Sequence, residues 1–208
     1  MTAAGRASAG RASSGRASAG RVIAGAARSI RLEAPGTGTR PMADRVKQTL
    51  FAILEPDLPG ARVLDLFAGS GAAGIEALSR GAAAATFVER DPRAASIIAA
   101  NLRRTGLAHL ARVIRADVGA YLRDPTRAAD EPWDLVILDP PYDQAGDLLA
   151  ALQVVGPRVG TGGWVVAKHF WRDAPPAGVG LLASARERRF GETVLTFYRR
   201  TDDAVEDG

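Results

Sequence analysis

Short apolar runs and stretches with helical spacing alternate along most of this chain, and glycine, proline or a carboxylate breaks them at regular intervals. Residues 62–67, 84–88, 111–115 and 133–138 each read as a strand, because four or more consecutive positions favour burial on a sheet. Between them, residues 72–79, about 94–105 and 118–123 carry helical periodicity, and a polar loop fills 124–132. A helix over about 146–155, a strand over 164–168 and two closing strands near 178–188 and 193–198 follow. At the front, residues 22–32 suggest a short β-hairpin and 35–38 a loop. A helix is expected from Pro41 to about Leu54, since proline suits a first turn. Val46, Leu50, Phe51 and Leu54 would share its buried face, leaving Arg45, Lys47 and Gln48 mostly on other faces. Strands alternating with helices and ending in a hairpin predict an α/β fold.

The front of the chain differs in composition. Residues 5–21 repeat Gly-Arg-Ala-Ser with a period of five and have no apolar face to bury, which predicts disorder over 1–21. Residues 1–60 hold nine basic and four acidic side chains, and the remainder 18 and 19, so the whole excess of +4 lies in this segment. A basic extension suits an electrostatic grip on nucleic acid, and it equally suits a solubilising tail. The chain divides into the repeat (1–21), a hairpin and helix extension (22–60), a main domain (61–200) and a flexible acidic tail (201–208). No cysteine is present, which rules out disulfides and thiolate zinc sites and suits a reducing cytoplasm. No metal site, membrane span or signal peptide is expected. His109 and His169 fit no triad or ligand pattern.

Chemistry concentrates where the strands end. Asp139-Pro140-Pro141-Tyr142 follows the run 133–138, and its prolines stop the strand because they cannot donate to a ladder. A carboxylate, a pair of carbonyls and an aromatic ring then project at the carboxyl edge, where open α/β sheets bind ligands. A planar amine could donate to Asp139 and the Pro140 carbonyl while its ring stacks on Tyr142, which points to methyl transfer onto nitrogen. Upstream, Ala68-Gly69-Ser70-Gly71 joins a strand to a helix, letting backbone approach a ligand closely. Glu89 ends the second strand, where it can accept both hydroxyls of a ribose, and Asp117 follows the third, within reach of an adenine amine. Asp91 before Pro92 reads as a helix cap, and Asp117 could also be one. Asp65 could support the glycine loop through its amides or contact a ligand amine. Gly69, Gly71 and Gly74 also spell a dinucleotide fingerprint, a weak signal by itself.

Three segments together resemble one family: 40–46 (Arg-Pro-Met-Ala-Asp-Arg-Val), 64–71 (Leu-Asp-Leu-Phe-Ala-Gly-Ser-Gly) and Asp139-Pro140-Pro141-Tyr142. They are similar to the RsmD-type 16S rRNA guanine-N2 methyltransferases, a class I group using S-adenosylmethionine, and the similarity spans about residues 22–199. The resemblance implies a Rossmann-like mixed seven-stranded sheet with helices on both faces and an antiparallel last strand. It implies methylation of a guanine N2 in 16S rRNA, with an assembled small ribosomal subunit as the favoured substrate, by a cytoplasmic monomer. Asp139, Pro140 and Tyr142 would then be catalytic, and Asp65, Phe67, Gly69, Gly71, Glu89, Arg90 and Asp117 would bind the cofactor. Arg28, Arg31, Arg40 and Arg45 are expected to contact RNA, although each could be an ordinary surface charge. This chain departs from the family's pattern at Met42 and Ala43, where hydroxylated residues are common, and at Lys168, where glutamate is frequent. Lys168-His169-Phe170-Trp171 could touch RNA, with packing the favoured reading.

Two alternatives stay open. A DNA adenine or other base amino-methyltransferase would share the Asp-Pro-Pro-Tyr element. Only 67 residues separate Gly71 from Asp139, which leaves no room there for a DNA-reading domain. The other alternative is a non-catalytic RNA-binding assembly module that has kept a methyltransferase fold.

Overall fold

The computed structural model describes residues 18–36, 42–127, 132–142 and 145–205. Most of the repeat, together with Arg40, Pro41 and residues 206–208, lies outside them.

Five parallel strands form the body of the sheet: β3 (Arg62–Leu66), β4 (Ala84–Glu89), β5 (Ala111–Arg115), β6 (Trp133–Leu138) and β7 (Val159–Phe170). β10 (Thr193–Arg200) runs antiparallel between β7 and β9 (Leu182–Phe190), and the two-residue β8 (Gly178–Val179) pairs on the outer side of β9. The order is β5-β4-β3-β6-β7-β10-β9-β8, which is the expected seven strands with β8 added at one edge. Residues 178–188, anticipated as one strand, are divided by Gly180 in a left-handed conformation (φ 56°). β7 is longer than expected at both ends.

Two apolar layers cover the sheet. One holds α1 (Asp44–Leu54), α2 (Ala72–Ser79) and α3 (Pro92–Thr105) against Val63, Phe87, Leu135 and Phe197. The other holds α4 (Val118–Arg123) and α5 (Ala145–Val155) against Leu64, Leu66, Val136 and Leu138. Alternate residues of β3 and β6 thus feed opposite layers, and so the central strands are apolar almost throughout. Among the described residues, no helix is long and apolar enough to cross a membrane.

Chain order reverses between β3 and β6. Successive crossovers build outward from β3 in one direction, and the next strand returns to its other side. In such sheets the crevice at the carboxyl ends of the two strands binds ligands. Leu66 pairs with Leu138, so the residues following β3 and β6, the glycine loop and Asp139, emerge side by side.

The front of the chain departs from expectation in several places. The hairpin strands are β1 (Ser18–Arg21) and β2 (Arg31–Glu33), so the first strand includes the end of the repeat and residues 22–30 form the connection. That connection has its own anchor: Glu76 of α2 accepts the amides of Ile23 (2.8 Å) and Ala24 (3.0 Å). Helix α1 starts at Asp44, later than Pro41. Lys47 is fully buried, donates to the Arg21 carbonyl and lies 3.5 Å from Glu76, which also binds Arg80 at 2.8 Å. Burial lowers the Lys47 pKa, and the Glu76 and Asp44 carboxylates oppose that shift. Asp44 pairs with Arg21 (3.7 Å). Residues 201–205, expected to be a flexible tail, return hydrogen bonds from Thr201 to Leu181 (2.8 Å) and from Val205 to Gly180 (2.7 Å).

Candidate active site

The loop after β3 makes a tight turn that only a few backbones can follow. Phe67 takes a positive φ of 59°, unusual for a side-chain-bearing residue, and Gly69 (55°) and Gly71 (75°) follow in the same region. A methyl group on Gly69 would meet nothing nearer than the Phe67 carbonyl oxygen at 3.9 Å, so its exposed face is open for a ligand. At Gly74 the crowding is opposite: a Cβ would lie 2.4 Å from the Phe87 ring and 3.0 Å from Asp65. Glycine there lets α2 sit directly on β4. Asn101 holds the loop from behind, donating to the Ser70 carbonyl (3.0 Å) and to Glu33 of β2 (2.9 Å).

Three carboxylates face this loop. Asp65 is buried within β3 and accepts the Gly74 amide at 2.8 Å. Burial pushes its pKa up to about 8; the Gly74 bond opposes this, and the nearby Asp139 and Glu89 charges add to it. Glu89 accepts the Gly69 amide on one oxygen and the Asp91 amide on the other, both at 2.8 Å, which ties the second strand to the loop. Asp139 follows β6, with its amide on the Leu66 carbonyl (3.4 Å). A buried carboxylate that burial drives towards its neutral form, beside two more carboxylates, suits a cationic ligand.

The flanking positions are more ordinary. Asp91 accepts the Arg93 amide (2.8 Å) and caps α3. Asp117, exposed after β5, accepts the Ala120 amide (3.0 Å) and caps α4. Phe67 is half-buried and packs against the apolar layer under α4 and α5, as do Ile114 and Ala116. Arg90 is exposed beside Glu89.

At the end of β6, Asp139 is half-buried, Pro140 is buried, and Tyr142 turns back over the end of β7. The Tyr142 hydroxyl bonds Thr193 Oγ1 (2.5 Å), and its ring lies 6.1 Å from Phe170. Lys168, on β7, pairs with Asp139 Oδ1 and sits 4.9 Å from the Tyr142 ring centroid. Burial lowers the Lys168 pKa, but the Asp139 carboxylate outweighs it and the net shift is upward, so the ammonium stays charged. Pro140, Tyr142, Leu148, Lys168 and Phe170 line a small crevice here.

A family profile described as "Conserved hypothetical protein 95" matches residues 20–199. The chain belongs to the RsmD-type methyltransferase family. That family falls within the class I S-adenosylmethionine-dependent methyltransferases. YlbH of Bacillus subtilis, provisionally named an rRNA methyltransferase, is 37% identical over 175 residues, covering 83% of this chain and 94% of that protein. Ribosomal RNA small subunit methyltransferase D of Escherichia coli K12 is 42% identical over 119 residues, covering 57% of this chain and 58% of its own. The solved structure of yhhF from Escherichia coli, provisionally described as a methyltransferase, superposes with a TM-score of 0.76 at 31% identity. It covers 90% of this chain and 99% of that one.

Within this RsmD-type protein the expected RNA-contacting arginines are scattered. Arg28 follows Ala27, whose amide bonds Ser79 at the end of α2 (2.9 Å). That places Arg28 at the opposite edge of the sheet from the glycine loop, which opens α2 at its other end. Arg31 lies on β2, and its carbonyl accepts Arg104 of α3 (3.4 Å). Arg45 is exposed on the first turn of α1, and Arg40 lies outside the described residues. His169 is buried between the Thr196 hydroxyl and the Phe170 carbonyl, both 2.9 Å away, which agrees with a packing role. The sequence reading missed Lys168 and Thr193 as partners of Asp139 and Tyr142, and it missed the left-handed backbone at Phe67. Lys168 alone had left a trace, as a departure from the family's pattern.

Proposed function

We propose that this protein transfers a methyl group from S-adenosylmethionine to the exocyclic N2 of a guanine in small-subunit rRNA, with the assembled particle as substrate. The observation carrying this reading is the adjacency of the two loops. The open glycine turn and the Asp139-Pro140-Pro141-Tyr142 segment leave neighbouring strands at the switch point of the sheet. Membership in the RsmD-type family and the names of its relatives support an rRNA substrate.

S-adenosylmethionine supplies an activated methyl on a sulfonium, so neither a metal nor a covalent enzyme intermediate is needed. Gly69 and Gly71 give its methionyl part close backbone approach, and Glu89, already oriented by two amides, is placed for the ribose hydroxyls. Asp65 is suited to an ammonium, which would replace the proton that burial otherwise favours. Phe67 offers an apolar surface for the adenine ring. Asp117 can reach the adenine amine with the oxygen that does not cap α4, and Arg90 borders the same pocket. The Asp65 and Glu89 carboxylates favour a donor carrying both a sulfonium and an ammonium over its neutral-sulfur product, and this assists product release.

Asp139 and the Pro140 carbonyl accept the two hydrogens of the guanine amine and turn its nitrogen towards the methyl group. Alignment of this kind is the main work left to the protein. Lys168 holds one Asp139 oxygen, so Asp139 is a fixed acceptor and the released proton can pass to solvent. Tyr142, steadied by Thr193, stacks on the extruded base. Arg28, Arg31, Arg40 and Arg45 are the candidate N-terminal RNA contacts, with Arg45 exposed on the first turn of α1. The test is Asp139→Asn measured with both donor binding and methyl transfer. The expected result is donor affinity within about twofold and transfer reduced at least ~100-fold, the scale of one oriented catalytic group. Transfer at the parental rate would contradict the assignment.

A further inference from the structure

The acceptor crevice continues outward as a strip of rings and guanidinium groups. Tyr142 and Phe170 have centroids 6.1 Å apart, and Phe170 and Trp171 are again 6.1 Å apart. The strip therefore runs from beside Asp139 to the turn that follows β7. Trp171 is half-buried, and its amide is pinned to the Glu192 carbonyl (2.9 Å). Two guanidinium groups lie against its indole, Arg189 at 4.5 Å and Arg172 at 4.7 Å from the ring centroid. Arg189 is further steadied by the Gly191 carbonyl (2.8 Å). Arg186 and Arg188 extend the positive charge along exposed β9, while Asp173 and Glu192 are the acidic groups nearest the turn. Ordinary packing would bury this indole against aliphatic side chains; instead it sits under cations, next to Phe170 of the small crevice.

We propose that Trp171, with Arg172 and Arg189, is a stacking platform for an unpaired RNA nucleotide flanking the target guanine. The proposal rests on the reading of the Asp139 edge as a base site and extends it by one subsite. An exposed cation over an indole contributes less than a base stacked on the same ring, so a nucleotide displaces one arginine. The displaced guanidinium stays within reach of the incoming phosphate, where its planar donors pair well. A duplex does not fit, because its base faces are already covered by neighbouring pairs. Arg172 and Arg189 thus add cationic contacts for RNA beside the chemistry.

The test uses the full chain and a short single-stranded oligoribonucleotide containing guanine, with the same sequence annealed as a duplex. Trp133 is buried and Trp164 lies near the amino-terminal end of the parallel strands, so quenching of tryptophan emission by the single strand reports Trp171. Trp171→Leu keeps apolar bulk without the π face. It is expected to lose the quench, weaken oligonucleotide binding about tenfold and raise the KM for small subunits, with donor affinity and kcat within about twofold. Arg189→Ala should flatten the dependence of log K on log salt by about one unit. Parental oligonucleotide affinity and KM in Trp171→Leu, or duplex binding as tight as single-strand binding, would overturn the proposal. If the parental chain binds the single strand through Trp171 but methylates no RNA, the platform stands and the methyltransferase reading of the Asp139 edge falls.

Discussion

Asp65 and Lys168 show how much of this site depends on charges held out of water. The Asp65 carboxyl is raised to about 8 by burial, whereas an unfolded aspartate titrates near 3.8. Folding without the donor therefore takes up a proton between those values. The stabilisation is complete below about pH 4 and is lost as pH rises through about 8. Unfolding of the donor-free protein, followed from pH 4 to pH 8.5, should show a decline that Asp65→Asn flattens; superimposable profiles would contradict this. The same variant should bind S-adenosylmethionine more weakly, since an amide offers no charge to the ammonium. Lys168→Met should leave donor affinity unchanged and slow methyl transfer about tenfold, the size of one hydrogen bond to a charged group. Asp139, Pro140 and Tyr142 were legible in the sequence because they are contiguous and the prolines mark the strand end. Lys168 lies 29 positions beyond Asp139 and Thr193 lies 51 beyond Tyr142, so no local spacing could pair them.

At the scale of elements, periodicity carried the centre of the chain and faltered at its front. β3, β4 and β6 were readable because their residues are buried on both faces and glycine or proline follows closely. The front hairpin and its connection are organised by α2 and α3 through Glu76, Ser79 and Asn101, residues far along the chain. Lys47 illustrates the difficulty. Together with Leu50, Phe51 and Leu54 it occupies the core face of α1, yet its charge made that face look narrower than it is. Glu76→Ala should destabilise the protein by roughly 3–5 kcal/mol, because it strands a buried ammonium and two amides. Chemical denaturation measures this directly, and a cost below about 1 kcal/mol would mean that the network is incidental. Gly74→Ala should cost about 1–3 kcal/mol through overpacking against Phe87, and should weaken donor binding as α2 shifts.

The whole molecule places the glycine loop and the Asp139 segment along one edge of a single sheet, with Asn101 tying the front hairpin to the glycine turn from behind. Net charge alone left the amino-terminal segment open as a nucleic-acid grip or a solubilising tail. The folded chain also brings Arg172 and Arg189 together on Trp171, a grouping that charge counted along the sequence does not reveal. The most direct measurement is methyl transfer from tritiated S-adenosylmethionine to unmodified small ribosomal subunits, with protein-free rRNA and duplex DNA in parallel. Label on the particle, recovered after digestion as N2-methylguanine, is the predicted result. Label only on DNA as methyladenine, or no label on any substrate despite measurable donor binding, would contradict it.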